Sequence, residues 1–260
     1  MLAFLSGAFP SSHFGSGNLG APISTVCVER ILAHIRQDHG IGRSVTRICE
    51  LLAQGIVHRF GTSTVLRGVD AYFREGSISV LEGANGAGKS TLLGILGGLI
   101  RPSRGSVECL PMGSQPTDLR GQFGWVGHES FSYRELTGRE NIELTAGLYA
   151  KGGTWEQVSE RVGAAGLEHR RLGTLSRGQR QRIALGRALV HKPDVLLLDE
   201  PFSGLDVDGT ALLERILRQE RDLGTIVIAV SHDPGFAERM GAVRWQFRAG
   251  RLEQPSTPAA

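Results

Sequence analysis

Short apolar runs and longer stretches of helical periodicity alternate along most of this chain. IVHRF (56–60), VDAYF (69–73) and SISVLEG (77–83) are brief β-rich runs broken by glycine and charged turns. SISVLEG leads into a glycine loop and then the apolar stretch TLLGILGGLI (91–100), which predicts a helix. QFGWVG (122–127) predicts a strand, and RENIELTAGLYA (139–150) a helix that starts near Thr137. GQRQRIALGRALV (178–190) predicts another helix, with basic residues on one face. DVLLLDEP (194–201) and TIVIAVSHD (225–233) are continuous apolar runs ending in polar residues. That is the pattern of strands buried on both faces of a parallel sheet. GTALLERILRQERDLG (209–224) lies between them as a helix, GFAERM (235–240) begins the last helix, and QFRAGRLE (246–253) closes the domain as a hairpin. Strand, helix, strand, helix predicts an α/β fold with a mainly parallel sheet.

Residues 1–53 have a different texture. GAFPSSHFGSGNLGAP (7–22) reads as flexible linker. Beyond it Val28, Ile31, Leu32 and Ile35, then Ile48, Leu51 and Leu52, fall at helical spacing. The expectation is a partly disordered extension over 1–53 with one or two short helices, a globular domain over 54–254, and a frayed tail over 255–260. A translated segment ahead of the true start would have the same texture.

Composition narrows the classes. The 260 residues carry 29 Lys plus Arg against 26 Asp plus Glu, a net charge of +3. Such a balance does not mark a nucleic-acid binder, and a hydrophobic content of 40% excludes a disordered chain. No run of about 18 uncharged apolar residues occurs, so no segment is expected to span a bilayer by itself. MLAFLSGAF lacks a basic n-region, which argues against a secretory signal. Cys27, Cys49 and Cys109 stand far apart without CxxC spacing, so they read as free thiols of a reducing cytosol. His13, His34 and His39 are scattered through the extension and suggest no haem-ligating pair. Glycine, at 36 residues, is the unusual component, and it directs attention to phosphate loops and tight turns.

Gly83-Ala84-Asn85-Gly86-Ala87-Gly88-Lys89-Ser90 matches G-x-x-x-x-G-K-[ST] without a gap, after a predicted strand and before a predicted helix. Glycines let backbone N–H groups converge on phosphate oxygens, and the helix N-terminus adds positive potential. In this motif Lys89 reaches the β- and γ-phosphates and the Ser90 hydroxyl ligates Mg²⁺, with Thr91 supporting the same turn. A nucleotide site also needs an acid for the metal and a group to align water. Asp199 and Glu200, at the C-terminal end of the Val195–Leu198 run, supply both: Asp199 as the Mg²⁺ anchor, Glu200 as base or water-orienting group. Alone, four apolar residues before Asp-Glu would read as a strand capped by solvated acids; the phosphate loop changes that reading.

Leu175-Ser176-Arg177-Gly178-Gln179 resembles the LSGGQ-type signature of ATP-binding cassette (ABC) ATPases, with Arg177 replacing the first glycine. Ser203-Gly204-Leu205-Asp206 resembles that family's D-loop and His232 its switch histidine. Phe60, just before Gly61, sits where the family stacks an aromatic ring on adenine. The resemblance covers Gly55 to about Glu253. It implies a P-loop NTPase of the ABC cassette type: a RecA-like core, an antiparallel β subdomain and a small helical subdomain. It further implies that two domains pair head to tail with ATP. Each nucleotide then lies between one chain's Gly83, Asn85, Gly86, Gly88, Lys89, Ser90 and Thr91 and the other chain's Ser176, Gly178 and Gln179, with Asp206 among the nucleotide contacts. Ser176 and nearby N–H groups at a helix N-terminus suit an anion; taken singly, Ser176 is an ordinary N-cap. The family's Gln that touches Mg²⁺ aligns with His128, and either His128 or Glu129 fills that role.

The stretch VGHESFSYRELTGRENIELTAGLYA (126–150) resembles the haem-exporter ATPase of cytochrome c maturation (CcmA-type) and its ABC-2 relatives. The resemblance implies ATP hydrolysis by Glu200, His232 and Lys89, coupled to export of haem or, alternatively, of a drug, polysaccharide or lipid. It implies integral membrane subunits as separate chains, docking near His128–Tyr133 and Leu136–Tyr149, and a peripheral place on the cytoplasmic face of the inner membrane. A soluble ABC protein acting on ribosomes or DNA is the reading from another class. Such proteins carry two cassettes or a long coiled-coil insertion, and only one phosphate loop and one signature occur here. No nucleic-acid partner is expected.

Overall fold

The computed structural model describes residues 47–127, 132–149, 152–233 and 235–253. Strands β1 (Glu50–Phe60), β2 (Ser63–Arg74) and β4 (Arg104–Leu110) form an antiparallel sheet in the order β2-β1-β4. β3 (Ile78–Glu82), β5 (Phe123–Val126), β6 (Val195–Asp199), β7 (Ile226–Val230), β8 (Val243–Arg248) and β9 (Arg251–Leu252) form the second sheet, ordered β5-β6-β7-β3-β8-β9. All neighbours in it are parallel except the short closing pair β8–β9. Helices α1 (Lys89–Leu96), α2 (Gly138–Gly147), α3 (Trp155–Ser159), α4 (Arg177–Leu189), α5 (Val207–Asp222) and α6 (Phe236–Met240) complete the architecture.

The continuous apolar runs have a simple cause. In β6, Val195 and Leu197 enter one core, shared with α1 and the antiparallel sheet, while Leu196 and Leu198 enter the other, shared with α2, α4, α5 and α6. β7 alternates the same way, with Ile226, Ile228 and Val230 on the first face and Val227 and Ala229 on the second. A strand buried on both faces has no position left for a polar side chain.

Two expectations need correction. The stretch around Ile48–Leu52 is not helical: β1 begins at Glu50 and pairs Leu51 with Phe73 and Cys109. Ile48, Leu51 and Ala53 are fully buried, so the folded unit takes in residues assigned above to the extension. A short apolar run fits helix and strand alike, and sheet pairing decided it. Second, α1 stops at Leu96 rather than running to Ile100. Gly97 caps it, Gly98 follows at φ +68°, and the Leu99 and Ile100 amides both return to Gly94 O. The arginines of α4 are engaged within the fold. Arg180 donates to Leu175 O, Arg182 to Gly163 O, and Arg187 to Thr145 Oγ1 and Ser132 Oγ, so they tie α4 to the segments around it.

Candidate nucleotide site

The C-terminal ends of β3, β6 and β7 lie side by side, and each carries one part of the site. β3 ends in the loop 83–88, and α1 begins at Lys89. Two of the loop glycines are obligatory. Gly83 is at φ +143°, and a Cβ there would stand 2.8 Å from Phe247 Cβ and O; Gly88 is at φ +106°, with Leu66 Cδ2 at 2.8 Å. Lys89 is buried, and its Nζ donates to Gly83 O at 2.8 Å and Ala84 O at 2.9 Å. Burial pushes its pKa down, with the Glu200 and Asp199 carboxylates pulling the other way. A cation held by two carbonyls of the loop is poised to exchange them for phosphate oxygens.

Ser90, in the first turn of α1, donates from Oγ to Asp199 Oδ1 at 3.0 Å. A hydroxyl and a carboxylate at this spacing are hard oxygen donors of the kind that Mg²⁺ takes, with nucleotide phosphates and water completing its shell. Among the described residues no cluster of three or more His, Cys, Asp or Glu could cage a metal alone. The Ser90–Asp199 pair, one hydroxyl and one carboxylate, is a donor set that Mg²⁺ fits.

Glu200 follows β6 at φ +50°, a left-handed conformation unusual outside glycine, and its N–H donates to Val230 O at 3.1 Å. That bond brings it beside the end of β7, where His232 Nε2 lies 3.0 Å from Glu200 Oε1. Lys89, Ser90, Asp199, Glu200 and His232 are thus brought together.

Phe60 is 55% exposed at the β1–β2 turn, edge-on to His58 at 4.6 Å between centroids and paired with Ser63. Ser63, Thr64 and Val65 line an open cleft of about 490 Å³ together with Gly86 and Ala87 of the loop and Ala249–Arg251 of the β8–β9 turn. The ring therefore stands next to a cleft that reaches the phosphate loop.

The remaining sequence candidates sit elsewhere. Ser176 caps α4: its Oγ accepts from Gln179 N at 3.2 Å, and Gln179 Oε1 accepts from Ser176 N at 3.1 Å. Gly178 lies in the same turn. Asp206 caps α5, with Oδ1 accepting from Gly209 N at 2.7 Å. Among the described residues no hydrogen bond joins these turns to the phosphate loop. His128 and Glu129 lie outside the described residues. Sequence reasoning missed the bond from Arg177 Nη2 to Ser203 Oγ, 2.9 Å long; the replaced signature glycine was the only pointer to it.

A family model described as "ABC transporter" matches residues 66–203. The chain belongs to the ABC transporter ATP-binding family. Relatives of this ABC protein differ in what their names say they move. It is 35% identical over 196 residues to the cytochrome c biogenesis ATP-binding export protein CcmA of Rhizobium meliloti, covering 72% of this chain and 93% of that one. It is also 33% identical over 215 residues to the spermidine/putrescine import ATP-binding protein PotA of Mycoplasma mycoides, covering 79% of this chain and 60% of that one. A solved ATP-binding subunit of an ABC transporter superposes with a TM-score of 0.72 at 27% identity, covering 80% of this chain and 90% of that one. The P-loop ABC cassette expected from the resemblance is the observed fold. No helix among the described residues is long and apolar enough to cross a membrane.

Proposed function

We propose that this ABC ATPase hydrolyses MgATP to drive export through separate membrane subunits, with haem for cytochrome c assembly as the cargo. The observation that carries the hydrolytic part is the meeting of Lys89, the Ser90–Asp199 pair and the Glu200–His232 pair at three adjacent strand ends. Lys89 and the loop N–H groups bind the β- and γ-phosphates. Ser90 and Asp199 hold the metal, which neutralises phosphate charge when bound. Glu200 accepts a hydrogen bond from the attacking water and takes its proton, and His232 holds that carboxylate in place beside the γ-phosphate. Thr91, Asn85 and Gly86 complete the phosphate cradle, and Phe60 stacks on adenine over the adjoining cleft. Little covalent chemistry is asked of the protein, so positioning and charge neutralisation carry the rate.

Ser176, Gly178, Gln179 and Asp206 serve the nucleotide of a second copy, the head-to-tail arrangement that the signature resemblance implies, with Ser176 and Asp206 each capping a helix N-terminus. The subunit works as an ATP-dependent dimer on the cytoplasmic face of the membrane. Support for haem export comes from the GHE…LT-x-x-EN stretch before and within α2 and from the CcmA relative matched along 93% of its length. An ABC-2 exporter of a drug, polysaccharide or lipid is the second reading, favoured by the same stretch.

Two measurements test this. Glu200→Gln is expected to retain ATP, trap a dimer and lose turnover by about 100-fold or more; normal turnover would remove Glu200 from catalysis. Cells carrying Lys89→Ala are expected to lose haem-loaded c-type cytochromes. Intact cytochromes alongside lost ATPase activity would move the cargo to the ABC-2 class.

A further inference from the structure

Arg177 stands where the family signature has a glycine, and its side chain is engaged within its own chain. Nη2 donates to Ser203 Oγ at 2.9 Å. The rest of the side chain lies over Gly204, where a Cβ would come within 2.8 Å of Arg177 Cδ and 3.0 Å of Cζ. Gly204 is itself left-handed at φ +76°, so the turn has the bare backbone this arginine needs. One turn further along α4, Gln181 Nε2 donates to Pro201 O at 3.1 Å. The first two turns of α4 therefore grip the 200–205 turn at two points.

That turn starts at Glu200. Its carbonyl accepts from Ser203 N at 3.2 Å, and Asp206 fixes the far end as the cap of α5. Glu200 sits at φ +50°, a backbone state that persists only where the surroundings hold it. The bond from Arg177 reaches the residue whose amide closes the turn onto the Glu200 carbonyl.

We propose that Arg177 is a positioning residue: through Ser203 it holds the turn that aims the Glu200 carboxylate, and so links the N-terminus of α4 to the hydrolytic step. The inference rests on the reading of Glu200 as the water-activating group. No proton passes through Arg177, because a guanidinium stays charged. Its loss lets the turn relax and carries Glu200 away from His232. Misplacement of this kind slows a reaction far more than it weakens ground-state binding.

The test is a double-mutant cycle on steady-state ATP hydrolysis by the full chain, with Arg177→Met, Ser203→Ala, both together, Ser203→Thr and Glu200→Gln. Each single variant is expected to lower kcat by about fivefold with KM within twofold, since only positioning is lost. The double variant is expected to be no slower than the slower single, and Ser203→Thr, which keeps the hydroxyl, to restore the rate. Multiplication of the two losses in the double variant would overturn the proposal, as would unchanged kcat in both singles. A raised KM in Arg177→Met alone would also overturn it, by placing the guanidinium on the nucleotide instead. Should Arg177→Met fail to fold, Ser203→Ala against Ser203→Thr decides the matter by the hydroxyl alone. Glu200→Gln separates the layers: if it turns over normally, the reading underneath fails. If it is dead while the singles are unaffected, only the clasp fails.

Discussion

Ser90 Oγ and Asp199 Oδ1 lie 3.0 Å apart although 109 residues separate them in the chain. The contact joins the first turn of α1 to the last residue of β6, on strand ends that only the parallel sheet brings together. Ser90→Ala and Asp199→Asn are each expected to lower ATP turnover by about 100-fold, the scale set by removing one preorganised electrostatic group. Nucleotide binding in both should lose most of its dependence on added Mg²⁺. Magnesium titrations of nucleotide affinity check this, and a variant that keeps wild-type dependence would place the metal elsewhere.

Phe60 is expected to act on affinity alone. Its ring is more than half exposed, so truncation removes little from the core, while base–aromatic stacking is worth about 1–3 kcal/mol. Phe60→Ala should raise the KM for ATP by about tenfold with kcat and thermal stability nearly unchanged, and Phe60→Trp should restore it. A loss of kcat without a KM effect would show that the ring does not meet the base.

Much of this was legible in the sequence because the local pattern and the tertiary environment agree. Leu196 and Leu198 face one core and Val195 and Leu197 the other, so an unbroken apolar run reads correctly as a doubly buried strand. β1 misled because Ile48, Leu51 and Leu52 also satisfy helical spacing, and its partners Phe73 and Cys109 come from two other strands. β4 was not anticipated: RGSVECL carries charge and glycine, and it sits at the edge of its sheet, next to β1. At the site, the phosphate loop and Asp199-Glu200 are contiguous motifs and so were visible. Arg177, the first residue of α4, meets Ser203 in the loop after β6, and no spacing rule predicts such a meeting.

Asp194 tests how the chain enters the fold. It is buried just before β6, and Oδ2 accepts from the Ile48 amide at 3.0 Å, with Arg47 Nε 3.8 Å from the other oxygen. Asp194→Ala leaves a buried N–H without its acceptor, which costs about 1–3 kcal/mol. The residue lies at the opposite end of β6 from Asp199, so ATP turnover per folded molecule should be unchanged. Urea unfolding read beside activity distinguishes this from a catalytic effect; equal stability would mean that the Ile48 amide finds another acceptor.

His191 sets an expectation for acid stability. The ring is buried after α4, Nε2 lies 3.0 Å from Phe123 O, and the face packs on Tyr149 with centroids 4.4 Å apart. Burial pushes its pKa down to about 4, with the backbone contacts opposing. The unfolded chain binds this proton near pH 6.5, well above the folded one, so between these values the unfolded state holds more protons. Stability must then fall as pH drops through that window and level off below the folded pKa. From pH 7.5 to pH 5 the contribution lost is about 2 kcal/mol. His191→Phe keeps a flat ring against Tyr149 but cannot take the proton. Its unfolding free energy should start lower at pH 7.5, because the Phe123 carbonyl loses its donor, yet decline about 2 kcal/mol less than wild type on the way to pH 5. Denaturant curves at the two pH values give both numbers, and parallel declines in the two proteins would show that folding does not lower the His191 pKa.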